Sequence, residues 1–263
     1  MLAFRFDNTF EGLLSAVFDA YSLKRFPEAM LGKDDVPPLT VSSIHTVVTG
    51  KDKADRVFAG LDQRLTRVGK NTVLLAFLSE EKDVASLLFR YMRKIFDSSR
   101  KETKEADFSD RDILAVDQIA RKVHCEQHLL HGFARFQKTS EGVYFAAVSP
   151  RYNVLALLLP HFRERLGPRA WIIYDARRGF GFFHENGTFH DIVLDGDILV
   201  DGALPARLLD KDEETFQVMW RQYFASATIR ERLNPRLQAR CLPRKFWPHM
   251  TEMRAGAAGG ITG

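Results

Sequence analysis

Cysteine is nearly absent from this chain: two residues in 263, Cys125 and Cys241. They form no CxxC pair and no disulfide framework, which excludes a stapled secreted scaffold and suits a reducing cytoplasm. No apolar run approaches the ~18 residues that a membrane helix needs, so no membrane partner is expected. The start, Met1 to Asp7, lacks a basic stretch followed by an apolar one and is not read as a signal peptide. Internal repeats are missing. Low-complexity sequence is confined to the end, where residues 253–263 read as a flexible tail. A large excess of one charge is missing too: 38 Lys and Arg stand against 34 Asp and Glu, a formal net of +4. Where that small excess sits therefore matters more than its size.

What is present is ordinary globular material. Apolar residues make up 45% and charged residues 27%, which excludes wholesale disorder. A chain of this length buries about 70–75% of the surface of its unfolded state. The 21 phenylalanines fit a Phe-rich core. Leu2 to Phe6 alternates as a short strand, and Asn8 with Glu11 suggests a capping box for the helix that follows. Helices are expected over Lys51–Leu65, Thr72–Ser79 (after a break at Gly69-Lys70-Asn71), Lys82–Phe96 and Asp110–His131. Arg90, Arg93 and Lys94 read as a solvated face. Ser98–Asp110 and Asp195–Asp210 read as loops. A strand is expected within Leu39–Val48. In the second half, Phe133–Phe136 pairs with Val143–Val148 across a turn at Ser140-Glu141-Gly142. A helix at Tyr152–Leu166 follows, then strands at Ala170–Asp175, Phe180–His184 and Phe189–Leu194. Asp212 caps a last helix running to about Leu233, with Phe216, Trp220, Tyr223 and Phe224 on one side. Short turns between strands favour antiparallel pairing. The fold class is α+β, with a helix-rich N-terminal half and helix-flanked antiparallel hairpins after it. One domain spans 1–252, with a subdivision at 108/109.

Three constellations carry possible chemistry. Four of the eight histidines fall between Arg121 and Arg178. Asp117, Arg121, His124, His128 and His131 recur at steps of four, three, four and three, one stripe of a helix. Three imidazoles on a face can bind zinc, but no Cys pair or HExxH accompanies His124, His128 and His131, and a polar stripe is the plainer reading. No cofactor is expected. Next, Glu126, His128, His161 and Asp175 could meet as an acid–base site, a carboxylate orienting each imidazole. A buried polar network would use the same residues. Last come the arginines. Arg135, Arg163, Arg165, Arg177 and Arg178 cluster around one helix end and one strand end. Arg230, Arg232, Arg236, Arg240, Arg244 and Lys245 fall within sixteen residues against one acid, Glu231, with Phe246 and Trp247 following. Guanidinium groups interleaved with aromatics suit phosphate contacts with base stacking.

Motifs along the chain also resemble a known bacterial family. They are Phe4-Arg5-Phe6-Asp7, Thr9-Phe10-Glu11-Gly12 and Ala16 to Tyr21; Val123, Glu126, His128 and Gly132-Phe133 with Arg135-Phe136; Pro160-His161-Phe162 with Arg165; Ile173-Tyr174-Asp175 with Arg178; and Arg232, Asn234-Pro235, Pro243-Arg244, Trp247 and Glu252. Together they resemble the family known as probable DNA metabolism proteins. Its members are fused to, or encoded beside, a uracil-DNA glycosylase-like domain and travel with a putative radical SAM protein. In that family an arginine follows the histidine of the Glu126 motif. Here it is Leu129, which removes one candidate phosphate contact. The segment after Glu252 lies where fused members continue toward the glycosylase, so that activity is expected from a separate chain. The resemblance implies a DNA-repair context rather than a reaction. The expected function is a cytoplasmic DNA-binding accessory of base repair or modification. Alternatives are a nucleic-acid-processing hydrolase or glycosylase built on Glu126, His128, His161 and Asp175, and a protein–protein adaptor.

Overall fold

The computed structural model describes residues 1–98, 107–194, 199–200 and 202–253. Most of the loop expected at Ser98–Asp110, part of that at Asp195–Asp210 and the tail from 254 lie outside the described residues. The chain divides into two compact units, Met1–His124 and Cys125–Gly263. The divide falls inside a helix.

The first unit is helix-rich. Strand β1 (Leu2–Arg5) lies between β2 (Ala29–Leu31) and β3 (Ser43–Thr46) and pairs with both in parallel. Helices α1 (Phe10–Ser22), α2 (Lys51–Asp62), α3 (Arg67–Phe77) and α4 (Val84–Asp97) complete it, with the first part of α5 (Arg111–Phe133). Phe4, Leu13, Val17, Leu88, Met92, Ile113 and Val116 lie in one core. Apolar residues at helical spacing on α1, α4 and α5 make that possible. Two sequence expectations shift. Thr9, not Asn8, caps α1, its hydroxyl accepting the Gly12 N–H at 2.9 Å. Asn8 instead adopts a left-handed conformation (φ 65°). Gly69 to Asn71 do not break a helix but lie in the first turns of α3, because Thr66 caps it and accepts the Gly69 N–H at 3.2 Å.

Arg90, Arg93 and Lys94 are not a bare positive face. Lys94 holds Asp110 and Asp112, each at 2.7 Å, Arg90 holds Asp112 at 3.0 Å, and Arg93 holds Asp97 at 3.3 Å. The Lys94 hydrogen bond is the main cause that keeps the Asp110 carboxyl below its usual range.

The second unit is built on a five-stranded sheet in the order β4-β5-β6-β7-β8: Gln137–Lys138, Tyr144–Val148, Trp171–Asp175, Phe180–Glu185 and Thr188–Ile192. β5 and β6 are parallel, joined by helix α6 (Leu155–Leu166). The other neighbours are antiparallel. The strands joined by short turns pair antiparallel as expected, and β5–β6 is the parallel exception, where a helical crossover supplies the connection that parallel strands require. The first hairpin forms across the expected turn but begins later. Phe133 ends α5 and residues 134–136 are irregular, so only Gln137 and Lys138 pair with β5. Trp171, Phe162, Leu155, Leu158 and Ile173 are fully buried. Helix α7 (Glu213–Ala227) ends sooner than its aromatic pattern suggests. The Thr228 hydroxyl bonds back to the Phe224 carbonyl at 2.7 Å, and the Thr228 backbone is extended. A short turn at Arg230–Arg232, helix α8 (Pro235–Cys241) and a turn at Arg244–His249 follow.

Candidate functional site

The carboxyl ends of β5 and β6 lie side by side, with Val148 opposite Asp175 and the Ala176 N–H donating to the Val148 carbonyl at 2.9 Å. This edge gathers several of the charged residues that the sequence singles out. Asp175 is fully buried and accepts the backbone N–H groups of Arg177 (2.9 Å) and Arg178 (3.1 Å) and the Arg178 guanidinium (3.0 Å). It thereby closes the turn into β7. Arg178 also donates to the carbonyls of Pro150 (3.3 Å) and Arg151 (3.0 Å), and Arg177 donates to the Arg151 carbonyl at 3.0 Å. The segment after β5 is thus held by both guanidinium groups.

From α5, Glu126 completes the clamp. It is 3% exposed and accepts the N–H groups of Arg151 (2.9 Å) and Tyr152 (2.7 Å). The Lys245 ammonium, from the turn at Arg244–His249, pairs with the same carboxylate. Two backbone donors and one cation satisfy a charge that would otherwise be costly to bury.

Neither histidine of the expected acid–base set joins these carboxylates. Among the described residues, His128 and His161 make no hydrogen bond to Glu126 or Asp175. His161 stacks on His131, with ring centroids 4.2 Å apart and planes at 20°, and His131 meets His128 edge-on at 6.5 Å. No group of three His, Cys, Asp or Glu side chains placed to hold a metal is found among the described residues, His124, His128 and His131 included. The turn that carries Lys245 also brings His249 against Ser149, a pair that the sequence reading missed. Ser149 Oγ lies 2.8 Å from His249 Nε2.

The arginines divide by exposure. Arg135 is mostly buried and donates to Glu252 at 2.7 Å, with its guanidinium 5.4 Å from the centre of the Trp220 ring. Burial pushes the Glu252 carboxyl up, but hydrogen bonding, the Arg135 guanidinium first, outweighs this and holds it below its ordinary value. Arg163, Arg165, Arg177, Arg232, Arg236, Arg240, Arg244 and Lys245 are exposed. The Arg230 side chain lies outside the described residues. Trp247 is half-buried, its indole N–H on the Leu242 carbonyl at 3.1 Å and Arg244 over its ring. The bare aromatics lie instead on α7: Phe216 and Tyr223 are each 62% exposed and Trp220 40%. Positions 216, 220 and 223 share one helical face.

Residues 82–252, the last third of the first unit and most of the second, match a family described as a domain of unknown function, DUF4130. The chain belongs to the DUF4130 family. No curated protein and no solved structure matches it. Several of the motif residues noted in the sequence pair with one another in this DUF4130 chain: Asp175 with Arg178, and Arg135 with Glu252. No helix among the described residues is long and apolar enough to cross a membrane.

Proposed function

We propose that this DUF4130 protein binds DNA through the segment from α7 to the turn at Arg244–His249. On this reading it is an accessory of base repair or modification, working beside a uracil-DNA glycosylase-like or radical SAM protein, as the resemblance to probable DNA metabolism proteins implies. The observation that carries the reading is how charge is sorted in this segment. Arg232, Arg236, Arg240, Arg244 and Lys245 are exposed with no acid between them; of the acids of the segment, Glu213 and Glu252 are buried and Glu214 and Glu231 exposed. Phe216, Trp220 and Tyr223 present bare rings on α7 of the same segment. Cations contribute sequence-independent phosphate affinity, and rings accept unpaired bases of any identity. Arg163 and Arg165 are exposed and available as further contacts, and Arg177 is exposed with one guanidinium nitrogen on the Arg151 carbonyl. Arg135 and Arg178 act by positioning, since their guanidinium groups are engaged inside the protein.

Titration with labelled single strands and duplexes at two salt concentrations tests this. Affinity is expected to fall steeply with salt, and R236A/R240A is expected to reduce the slope by roughly 1–2. Trp220→Ala is expected to weaken single-strand binding by about 1–3 kcal/mol and duplex binding by less, since stacking needs an unpaired base. No binding to either substrate at low salt rejects the reading. The adaptor reading draws on exposed Met219, Ile229 and Leu237 in the same segment. It expects binding to a protein partner with little salt dependence and none to DNA.

A further inference from the structure

Ser149 and His249 stand in an arrangement that the DNA-binding reading does not use. Ser149 follows the last residue of β5, at the carboxyl end of the parallel pair, where open sheets commonly place ligands. It is partly exposed, and its Oγ lies 2.8 Å from His249 Nε2. The other ring nitrogen, Nδ1, lies 2.9 Å from the Gly202 carbonyl oxygen. A carbonyl only accepts, so Nδ1 carries the hydrogen of the neutral ring. Nε2 is then the bare nitrogen, and Ser149 must be the donor in their bond. His249 is 8% exposed, so its orientation is set by packing. Gly202 is part of that packing. A Cβ at this position would lie 3.2 Å from the ring, and its φ of 77° favours glycine. Hydroxyl, base and base-orienting acceptor are thus in line, the relation that activates a serine nucleophile.

The charge around this pair selects the electrophile. Arg151 follows Ser149 by two residues, Arg177 and Arg178 donate to the carbonyls of residues 150–151, and Lys245 lies one turn before His249. Glu126 pairs with Lys245 and Asp175 with Arg178, while Arg177 is exposed and keeps a guanidinium on the segment that follows Ser149. We infer that Ser149 and His249 form a nucleophile–base pair that acts on a phosphate ester. The Ser149 oxygen attacks phosphorus as its proton passes to His249 Nε2. The phosphorus–oxygen bond to the leaving alkoxide breaks, and the alkoxide takes that proton. Water, deprotonated by His249 Nε2, then attacks phosphorus; the phosphorus–Ser149 oxygen bond breaks, the serine oxygen takes that proton back from His249, and the phosphate product leaves.

The test is covalent labelling of the full chain with a biotinylated fluorophosphonate, in which serine displaces fluoride from phosphorus, read by peptide mass spectrometry. The expected adduct is on Ser149, absent in Ser149→Ala and at least tenfold slower to form in His249→Gln, with circular dichroism confirming that each variant is folded. Ser149 labelled no more than the chain's other serines overturns the inference and leaves a fastening hydrogen bond. Labelling undiminished in folded His249→Gln overturns the role of the base. If that variant does not fold, the adduct on the unmodified chain still decides for or against the nucleophile. Release of nitrophenol from bis(4-nitrophenyl) phosphate or from 4-nitrophenyl phosphate then assigns a diester or a monoester, and release from neither overturns phosphoryl transfer. Because neither probe is DNA, this result is independent of whether the chain binds DNA.

Discussion

Glu126→Gln separates a structural carboxylate from a catalytic one. The native carboxylate is 3% exposed and receives the Arg151 and Tyr152 N–H groups and the Lys245 ammonium. Glutamine keeps the size but offers one acceptor oxygen in place of two. One of the two backbone N–H groups then faces an NH2 group and is left buried without an acceptor, at a cost of about 1–3 kcal/mol. The other bond loses its charge assistance, worth about another 1 kcal/mol. Lys245, whose side chain is 39% exposed, can turn to water, so its lost pairing adds little. The expected loss is roughly 2–4 kcal/mol, with Tm falling by about 2–4 °C for each kcal/mol. Urea unfolding at neutral pH measures it. A folded variant within about 0.5 kcal/mol of the parent would refute the claim that this carboxylate holds the segment after β5. Unchanged stability with lost turnover on a nucleic acid would restore Glu126 as an acid–base group.

Glu252→Gln should lower stability by about 1–3 kcal/mol near neutral pH, because a buried, charge-assisted partner of Arg135 is weakened. Glu252 titrates below its ordinary 4.5 in the folded chain, so its contribution is present above that value and is lost as pH falls through the folded one. Parent and variant should therefore converge in acid, and a gap that persists at low pH would contradict this. Lys94→Met should cost about 1 kcal/mol or less and reduce the acid sensitivity of the first unit, since Asp110 and Asp112 are both held low by contacts that include Lys94. An unchanged pH–stability curve would contradict it. Trp247→Phe should lose the indole bond to the Leu242 carbonyl, about 1 kcal/mol of stability, with single-strand and duplex affinities changed alike. A loss confined to single strands would make Trp247 a stacking residue.

The sequence reading reached furthest where a local pattern decides structure. The apolar spacing on α4 and the stripe on α5 locate those helices to within about two residues of their ends. The strand pair β6–β7 follows from two β-rich runs about a turn. The parallel pairing of β1 with β2 and β3 was not legible, because strands of three or four residues carry too little period to fix a partner. The Asn186-Gly187 turn between β7 and β8, both residues at positive φ, was a readable hairpin signal that went unused. The site was legible in its residue types but not in their partners. Glu126 and Asp175 stood out as carboxylates near histidines, yet their acceptor capacity goes to backbone N–H groups at 151–152 and 177–178. Ser149 and His249 are a hundred residues apart, and no local pattern links them. Phe216, Trp220 and Tyr223 have the spacing of a core-facing helix, and only the tertiary structure shows that face to be bare.

That bare face depends on a buried pair. Glu252 receives the Arg135 guanidinium, and Arg135 covers one side of the Trp220 ring. The carboxylate therefore acts on the α7 ring through Arg135 and is itself inaccessible to a ligand, as its side chain is 1% exposed. If DNA binds this segment, Glu252 sets the orientation of a stacking ring and contributes no phosphate contact. Two kinds of variant should then differ in kind. Arg236→Ala removes a cation, so affinity falls and the salt slope drops by about 1. Glu252→Gln removes no cation, so single-strand affinity should fall by a similar factor at every salt concentration with the slope unchanged. Measured by titration of a labelled single strand across a salt series on protein shown to be folded, a slope that changes in Glu252→Gln would refute the positioning role. It would indicate that freeing Arg135 had altered the number of phosphate contacts.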